Sequence, residues 1–514
     1  MKKQIILILI AILPEIIFSQ PVVTWHSYFG GSYIDNVYCL QQTFDSGYIA
    51  CGETNSTDGD VVGLHGGVDA WVVKMDKAGV LQWQICLGGL KEDKAYSVQQ
   101  TKDSGYIVFG YTEGDSIMEG FHGCWDMFAV KLSSSGNIIW QKCYGGTSND
   151  LGISVDKTFD GGYIMCGITN SNDGDVSGIH TSPDYLSDYW VVKTNASGDI
   201  EWQKCLGGIK SDYSYSIQQT KDSGYIVGGT AGSSDGDVIG YHNGTSMDCW
   251  LVKLNKTGDI QWQKCYGGTG DDRIESVKQT TDGGYIFAGY TISNDGDVSG
   301  NHGGEDYWVV KVSDTGAIKW QKCLGGTDDD EAKSVYQTND GGYIVSGQVT
   351  SSDGDVTGFQ GTWDGWLVRL DSLGKITWEK CIEHTRASLA NAVMQTYDGG
   401  YVTAGCSTAD STDTMGFHGY MDFLVTKFES DVSINHVTFD NHVTIYPNPT
   451  FREITIETPL TSIIEIYNLE GQCIKTLPKA QPTTTIDVSW LPAGIYFIKA
   501  TSEKGTEVRK FVKE

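Results

Sequence analysis

Pairs of aspartates separated by one glycine recur along this chain of 514 residues. The pairs are Asp58 and Asp60, Asp173 and Asp175, Asp235 and Asp237, Asp295 and Asp297, and Asp353 and Asp355. Two carboxylates at this spacing can supply oxygen ligands to Ca²⁺, although no bidentate glutamate follows at the position that an EF-hand loop requires. Aspartate beside glycine also forms turns in which the carboxylate accepts hydrogen bonds from backbone amides. The motif therefore indicates either structural turns, which we favour, or stabilising calcium ions.

A histidine follows this motif in most of its copies. The residues are His65, His122, His180, His242, His302 and His418, and Gln360 takes the same position in one copy. Imidazoles in one repeated position suggest metal ligands, but each copy supplies a single one. We expect these side chains to stabilise their own loops, with the ring bonded to the backbone.

One junction departs from the repeat and carries the candidates for catalysis. Where other copies read Cys-Leu-Gly-Gly or Cys-Tyr-Gly-Gly, the chain has Cys381, Ile382, Glu383 and His384. Glu383 and His384 have the side chains of a general acid–base pair, whereas the simpler interpretation is sequence divergence in the last copy. The sequence contains no nucleophile elbow, phosphate loop, zinc motif or paired-cysteine motif. These observations favour a protein that is not an enzyme.

The elements that position these residues repeat seven times. A tyrosine after glycine recurs at Tyr48, Tyr106, Tyr163, Tyr225, Tyr285, Tyr343 and Tyr401, and a tryptophan recurs at Trp25, Trp83, Trp140, Trp202, Trp262, Trp320 and Trp378. The copy over residues 262–318 contains four strand-like segments bounded by glycine and aspartate. One such sheet cannot bury both of its faces, but sheets stacked in a ring can. The sequence therefore predicts an all-β protein with a seven-bladed β-propeller of four-stranded blades over residues 20–428.

The two ends of the repeat region complement each other. The seventh copy reaches Met421–Phe428 without the strand that follows in the other copies, and Val22–Gly31 near the N-terminus has the sequence of that strand. We expect the N-terminal strand to pair with the last blade and close the ring, because closure removes an exposed strand edge.

Two more repeated positions are expected in the core. They are the aromatic position of Trp71, Trp190, Trp250, Trp308, Trp366, Phe128 and Phe423, and the cysteine position of Cys86, Cys143, Cys205, Cys265, Cys323 and Cys381. Tryptophan can stack on sugars, but an aromatic residue in every copy is typical of packing between blades. Equivalent cysteines in successive blades are usually too far apart for disulfides, so buried thiols are predicted. Bridges within single blades stay open.

After a polar linker over residues 429–441, alternating apolar residues indicate a small Ig-like β-sandwich over residues 442–514. This segment contains Tyr446-Pro447-Asn448-Pro449 near its start, the run Leu491–Tyr496, and a lysine-rich end. In these motifs it resembles the type A C-terminal sorting domain of the type IX secretion system of Bacteroidetes, and the repeats resemble secreted bacterial β-propeller repeats. The resemblance implies that the secretion machinery recognises residues 442–514, and that the protein is released or attached at the outer cell surface.

Composition limits the partners of the chain. It has 36 basic and 65 acidic residues and a net charge of −29, which lies on the repeat region because the C-terminal segment is neutral. Such a surface repels nucleic acid and anionic lipid. Lys2, Lys3, the apolar run Ile5–Leu13 and Ser19 are typical of a signal peptide over residues 1–19. We expect an extracellular or cell-surface protein without a transmembrane segment after cleavage.

These features favour a secreted or cell-surface propeller that binds a glycan or a protein, as a binding or adhesion module that requires no cofactor. Two alternatives stay open, since fold alone does not decide function. One is an extracellular glycan hydrolase or lyase with its site in the propeller funnel, and the other is a structural surface protein stabilised by calcium. Unrepeated acidic or histidine side chains at the mouth of the channel would favour the enzyme.

Overall fold

The computed structural model of the protein describes residues 17–18, 20–114, 120–180, 186–242, 246–382, 387–408, 417–431, 433–434, 443–458, 461–468, 472–502 and 505–514. The regular elements of these residues are all β-strands, which confirms the predicted all-β class. The chain forms two compact units. The larger unit is residues 20–432, and the smaller unit combines residues 1–19 with residues 433–514.

Repeated antiparallel sheets of four strands build the larger unit. Strand β1 (Ile17–Phe18) belongs to the smaller unit, and β2 (Val23–Phe29) is the first strand of the larger one. Sheet 1 comprises β3 (Asp35–Gln42), β4 (Tyr48–Thr54), β5 (Asp69–Met75) and β6 (Leu81–Leu87), and sheet 2 comprises β7 (Asp93–Gln100), β8 (Tyr106–Glu113), β9 (Trp125–Leu132) and β10 (Ile138–Tyr144). Sheet 3 comprises β11 (Asp150–Lys157), β12 (Tyr163–Thr169), β13 (Asp188–Thr194) and β14 (Ile200–Leu206), and sheet 4 comprises β15 (Asp212–Gln219), β16 (Tyr225–Ala231), β17 (Asp248–Leu254) and β18 (Ile260–Tyr266). Sheet 5 comprises β19 (Asp272–Gln279), β20 (Tyr285–Thr291), β21 (Asp306–Val312) and β22 (Ile318–Leu324), and sheet 6 comprises β23 (Asp330–Gln337), β24 (Tyr343–Val349), β25 (Asp364–Leu370) and β26 (Ile376–Cys381). The strands of each sheet are called first to fourth in chain order.

Sheet 7 takes its fourth strand from the other end of the chain. Its own strands are β27 (Ala387–Ser388), β28 (Ala392–Gln395), β29 (Tyr401–Thr408) and β30 (Asp422–Phe428). The short strands β27 and β28 both pair with β29, in place of one continuous first strand. Strand β2 pairs with β30, with Val23 opposite Phe428 and Phe29 opposite Phe423.

Consecutive sheets pack through one repeated aromatic contact. The tryptophan of a fourth strand meets, edge to face, the tyrosine that begins the second strand of the following sheet. The pairs are Trp83–Tyr106, Trp140–Tyr163, Trp202–Tyr225, Trp262–Tyr285, Trp320–Tyr343 and Trp378–Tyr401, with ring centroids 5.6 to 6.1 Å apart. Trp25 on β2 makes the same contact with Tyr48 of sheet 1, at 5.8 Å. The last sheet therefore packs on the first as every other sheet packs on its successor.

The two predicted core positions are confirmed. The aromatic row from Trp71 to Phe423 is at most 1% exposed, and the six cysteines of the repeated position are 4 to 8% exposed. The indole N–H of a buried tryptophan still needs an acceptor. In Trp71 and Trp250 it donates to Gln84 and Gln263 of the adjacent fourth strand, at 2.7 Å in both.

A buried cation lies in the third strand of every sheet and pairs with the aspartate of the turn between the first and second strands. The lysine pairs are Lys74–Asp45, Lys131–Asp103, Lys193–Asp160, Lys253–Asp222, Lys311–Asp282 and Lys427–Asp398, with Nζ–Oδ2 distances of 2.9 to 3.1 Å. Arg369 replaces lysine in sheet 6 and binds Asp340. These turn carboxylates are therefore neutralised within their own sheets.

Buried aspartates lie at the junctions between sheets. Asp126 is the second residue of the third strand of sheet 2 and accepts the backbone N–H of His122 at 2.8 Å. Asp150 begins the first strand of sheet 3 and accepts the backbone N–H of Gly146 at 2.7 Å. Burial raises the pKa of both carboxyls to about 6, and their mutual repulsion adds to the shift at Asp150. The pKa is also raised to about 6 at Asp212, Asp272, Asp364 and Asp422.

The smaller unit contains two sheets around one core, besides the short pairing of β1 with β31 (Ser433–Ile434). The three-stranded sheet comprises β32 (Thr444–Tyr446), β33 (Glu453–Glu457) and β36 (Thr483–Asp487), and the four-stranded sheet comprises β34 (Ser462–Tyr467), β35 (Cys473–Ala480), β37 (Gly494–Ser502) and β38 (Gly505–Lys513). Ile454 and Ile456 of the first sheet meet Ile464 and Ile498 of the second in this core. In the described residues, no helix is long and apolar enough to cross a membrane.

Replacement of the junction tryptophans tests the packing of the larger unit. We expect Trp202→Ala to lower the free energy of unfolding by about 3 kcal/mol, because it removes a large side chain from a packed interface. Trp25→Ala should have an effect of similar size, since Trp25 makes the same contact. Denaturant unfolding followed by circular dichroism measures both, with the exposed Leu373→Ala as control. Wild-type stability of Trp25→Ala would contradict the packing of β2 on sheet 1.

The junction aspartates predict a stability that decreases with pH. Their carboxyls ionise near 3.8 in the unfolded chain and near 6 in the folded protein, so the folded state holds more protons between these values. The free energy of unfolding should therefore fall as the pH rises from about 4 to about 6.5. We expect Asp126→Asn to flatten this slope, and the exposed Asp314→Asn to leave it unchanged. Equal slopes in both variants would show that the junction carboxyls are not responsible.

Candidate functional site

A β-bulge in the first strand aims one side chain of each of sheets 1 to 6 into a channel. In sheet 1 the register passes from Val37 to Cys39, so Tyr38 has no partner on β4. Such a bulge redirects the extra side chain and leaves the rest of the ladder paired. The bulged residues are Tyr38, Tyr96, Ile153, Tyr215, Glu275 and Lys333. In sheet 7, Asn391 lies between β27 and β28.

First-strand residues from all seven sheets line this channel, which encloses about 640 Å³. The bulged position differs from sheet to sheet and carries tyrosine, isoleucine, glutamate and lysine. The next position along the strand, which also lines the channel, is serine in sheets 2 to 6. The channel wall thus combines a repeated position with one at which the copies differ.

Four aromatic rings form a stack at the upper mouth, which is the end of the channel where the first strands begin. The rings of Tyr38 and Tyr96 lie 4.6 Å apart and almost parallel. Tyr96 is followed by Tyr111 at 5.8 Å, and Tyr111 by Trp125 at 5.5 Å. The stack runs from the channel wall in sheet 1 to the start of the third strand in sheet 2.

A compensated group of charges surrounds this stack. The ammonium group of Lys94 lies 2.9 Å from Glu53 Oε2 and 2.9 Å from Glu92 Oε1. The hydroxyl of Tyr38 donates to Glu53 at 2.6 Å, and the hydroxyl of Tyr111 donates to Glu92 at 3.1 Å. Burial opposes the charge on Lys94, but the two carboxylates raise its pKa above the ordinary value.

A second charged group lies across the channel in sheets 5 and 6. The guanidinium of Arg273 is 3.9 Å from the ring centroid of Tyr215, a cation–π distance, and its Nε is 2.9 Å from Glu275. Lys333 binds Glu275 at 3.3 Å and Glu331 at 2.6 Å. The two groups hold their carboxylates in fixed positions on opposite sides of the upper mouth.

Glu305 is an acidic side chain of the upper mouth next to Glu331. Burial raises its pKa to about 7, and the charge of Glu331 adds to the shift. A carboxyl with this pKa can donate a proton near neutral pH. Glu305 and the other residues of the upper mouth belong to no sequence motif, although their variation at repeated positions was a visible signal.

The Asp-Gly-Asp motifs hold their loops against the glycine corner that precedes each sheet. Asp173 accepts the backbone N–H of Thr147 at 2.7 Å and its hydroxyl at 2.8 Å. The equivalent backbone N–H donors are Ser32 to Asp58, Ile209 to Asp235, Thr269 to Asp295 and Thr327 to Asp353, at 2.7 to 2.9 Å. These contacts support the interpretation of the motifs as structural turns. In the described residues no three acidic, histidine or cysteine side chains form a metal-binding group, and calcium stays a prediction.

Four histidines of the repeated position connect neighbouring sheets. His180 Nδ1 lies 2.7 Å from Asp188, at the start of its own third strand, and Nε2 lies 3.7 Å from Asp237 of the next sheet. His122 with Asp175, His242 with Asp297 and His418 with Asp60 repeat the second contact at 3.5 to 4.0 Å. The histidine rings were expected to bond to the backbone of their own loops. In the structure they contact aspartate carboxylates instead. The second aspartates of four motifs therefore face an imidazole.

Glu383 and His384 lie outside the described residues, and their catalytic role stays a prediction. Next to them, Cys381 and Ile382 are buried at 4% and 2% exposure.

Several known proteins are similar to long stretches of this chain. Regulatory protein FlaEY of Caulobacter vibrioides is 23% identical over 293 residues, which cover 51% of this chain and 30% of FlaEY. PorZ of Porphyromonas gingivalis, described as an essential surface component of the type IX secretion system, has a TM-score of 0.42 and 11% identity, with 95% of this chain and 60% of PorZ covered. The Pan2 WD40 domain of Neurospora crassa has a TM-score of 0.34 and 12% identity, with 67% of this chain and 90% of that domain covered.

The C-terminal segment has a direct family match. Residues 444–514 match the family described as Secretion system C-terminal sorting domain. The match covers the two sheets of the smaller unit and confirms the resemblance that the motifs of this segment indicate. The protein therefore carries a type IX secretion C-terminal sorting domain and is exported to the cell surface or the extracellular space.

Proposed function

We propose that this exported protein is a non-enzymatic glycan-binding module. Its larger unit is a closed seven-bladed β-propeller, and its ligand occupies the central channel. The observation that carries the proposal is the contrast between the repeated aromatic core of the sheets and the bulged channel position, which differs from sheet to sheet. A packing role alone favours the same residue in each copy, whereas recognition of an asymmetric ligand needs different ones.

Contacts between the last and the first sheet support the closed ring. Trp25 packs on Tyr48 as the other tryptophans pack on theirs. The backbone N–H of Tyr397 in sheet 7 donates to Gln42 of sheet 1 at 2.8 Å, and that of Phe159 in sheet 3 donates to Gln219 of sheet 4 at 2.7 Å. Strand β2, as the fourth strand of sheet 7, supports closure by the N-terminal segment.

The side chains of the upper mouth suit a sugar. Tyrosine offers a flat apolar ring for the C–H face of a pyranose and a hydroxyl for hydrogen bonds. Carboxylates and ammonium groups next to the rings supply acceptors and donors for the sugar hydroxyls. In Tyr38, Glu53 and Lys94 these groups lie within one bonded network.

The same network favours binding over catalysis. Glu53, Glu92, Glu275 and Glu331 are each bound to a lysine, and Glu53 and Glu92 also accept a tyrosine hydroxyl. Carboxylates held by lysines and tyrosine hydroxyls have fixed positions from which they can accept hydrogen bonds of sugar hydroxyls. A rigid, charged and aromatic mouth is pre-organised for a ligand.

Substitutions in the aromatic stack test this proposal. We expect the secreted protein to bind one class of oligosaccharide on a glycan array, and Tyr96→Ala to weaken that binding about tenfold, the loss of one stacked ring. Tyr33→Ala is the matched control, because Tyr33 is an exposed tyrosine outside the channel. Calorimetry with the best glycan measures the affinities. Equal affinities of Tyr96→Ala and the wild type would place the binding site elsewhere.

The raised pKa of Glu305 is the observation that favours a second function, that of a glycan hydrolase or lyase. Its pKa of about 7 is that of a general acid, and Glu331 next to it is ionised through Lys333. For the binding function we expect no new reducing ends and no unsaturated products when the bound glycan is incubated with the protein. Product formation that is lost in Glu305→Gln and retained in Glu113→Gln would establish the enzyme instead.

A further inference from the structure

The lower mouth of the channel, where the first strands end, carries positive charges, although the chain as a whole is acidic. Lys102 and Lys221 lie at the tips of the turns that surround it, Lys157 ends a first strand, and Lys278 lines the channel. The turn aspartates of all sheets are bound to the buried lysines and Arg369 of their third strands, so they do not neutralise this group. One further carboxylate, Asp156, lies inside the channel among the described residues of this mouth.

Three of the four lysines donate to backbone carbonyl oxygens. Lys157 Nζ donates to the carbonyl oxygen of Gln100 at 2.7 Å, and Lys102 Nζ donates to that of Phe159 at 3.3 Å. Lys221 Nζ donates to the carbonyls of Thr280 and Thr281 at 3.4 and 3.3 Å. Within the described residues, no carboxylate oxygen lies within 4.0 Å of these ammonium groups.

Two of the lysine charges, those of Lys102 and Lys157, lie close enough to act on one another. Burial lowers the pKa of Lys157, the charge of Asp156 opposes this shift, and the positive charge of Lys102 adds to it. Burial raises the pKa of Asp156, while Lys278 and Lys157 oppose the shift. Four ammonium groups against one buried carboxyl give the lower mouth a positive excess in a chain whose net charge is −29.

Exposed aromatic rings lie among these lysines. Phe44 and Phe159 occupy the same turn position as Lys102 and Lys221, and both are 60% exposed. Tyr397 takes this position in sheet 7 and is 65% exposed. The rim of the lower mouth therefore alternates apolar rings with cations over neighbouring sheets.

We infer that the ligand is an anionic polysaccharide, whose carboxylate or sulfate groups bind Lys102, Lys157, Lys221 and Lys278 at the lower mouth. This inference rests on the proposed glycan-binding function and names the class of glycan. Pyranose C–H faces pack on Phe44 and Phe159, while the acidic groups bind the ammonium groups next to them. The cations of the upper mouth are already paired with glutamates, whereas, in the part of the chain that the structure describes, the lysines of the lower mouth have no carboxylate partner. The anionic part of the ligand therefore binds at the lower end.

Nucleic acid is the other polyanion with flat apolar groups, and the rest of the surface disfavours it. The sugar–phosphate backbone of a long nucleic acid extends beyond the lower mouth. There it meets the acidic surface of the protein, whose net charge is −29. A short segment of a polysaccharide, in contrast, fits within the span of neighbouring turns.

The experiment compares defined probes on the full secreted protein. Polygalacturonate oligomers represent carboxylated glycans, sulfated dextran represents sulfated ones, and neutral dextran and oligo-dT of similar length serve as comparisons. Calorimetry at 50 and 300 mM NaCl should give an anionic glycan at least tenfold higher affinity than neutral dextran at low salt. This preference should decrease at high salt, because the contacts are charged and exposed.

Variants locate the binding. We expect the double variant Lys102→Gln and Lys221→Gln to lose about tenfold in affinity for the anionic glycan, since each exposed ion pair contributes modestly. The matched control is Lys77→Gln with Lys256→Gln, which removes two exposed lysines from the turns between third and fourth strands. Phe44→Ser with Phe159→Ser should weaken binding without changing its dependence on salt.

The outcomes separate this inference from the proposed function. Equal binding of neutral dextran and anionic glycans overturns the inference and leaves glycan binding intact. Oligo-dT binding as tight as the anionic glycan overturns it in favour of nucleic acid. Unchanged affinity in the Lys102 and Lys221 variant also overturns it. Absence of binding to every glycan overturns both.

Discussion

The edge-to-face contact between a fourth-strand tryptophan and the tyrosine of the next sheet is the interaction on which the larger unit depends. A sheet of four short strands has two apolar faces, and it is stable only when neighbours cover both. The contact recurs with nearly the same geometry at every junction, including that of sheet 7 with sheet 1. It fixes the distance and the angle between sheets, and thereby places the first strands around the channel.

The same arrangement separates packing from the channel surface. In a first strand, the bulged residue leaves the ladder and enters the channel, while the residues on either side of it stay paired with the second strand. Substitution at Tyr38 or Lys333 therefore changes the channel without removing a cross-strand partner. Buried charges follow a similar division, because each third-strand lysine neutralises a turn aspartate in its own sheet. The charges that remain unpaired with carboxylates, such as Lys102 and Lys221, are the ones that a ligand can reach.

Much of the fold is predictable from the sequence because it repeats. Seven tryptophans and seven tyrosines at regular intervals indicate the sheets, the buried aromatic row and the cysteine row, since a core position tolerates few residue types. The C-terminal domain is predictable for a different reason, because its motifs resemble a known sorting domain.

The candidate functional site is harder to predict from the sequence. A bulge shifts the register by one residue without a distinctive sequence, so the role of Tyr38 and Glu275 depends on coordinates. The contact of His180 with Asp237 was also not predictable from the sequence, since Asp237 lies in the next copy and is 57 residues away in sequence. Repetition drew attention to the Asp-Gly-Asp loops, whereas the informative positions are those where repetition fails.

The place of β2 in sheet 7 has a consequence for the order in which the protein matures. Its partner β30 lies more than 390 residues later in the chain. Until β30 is available, the edge of β2 that pairs with it stays open. Sheet 7 therefore depends on a contact of very high sequence separation, which is slow to form because a long loop must close first.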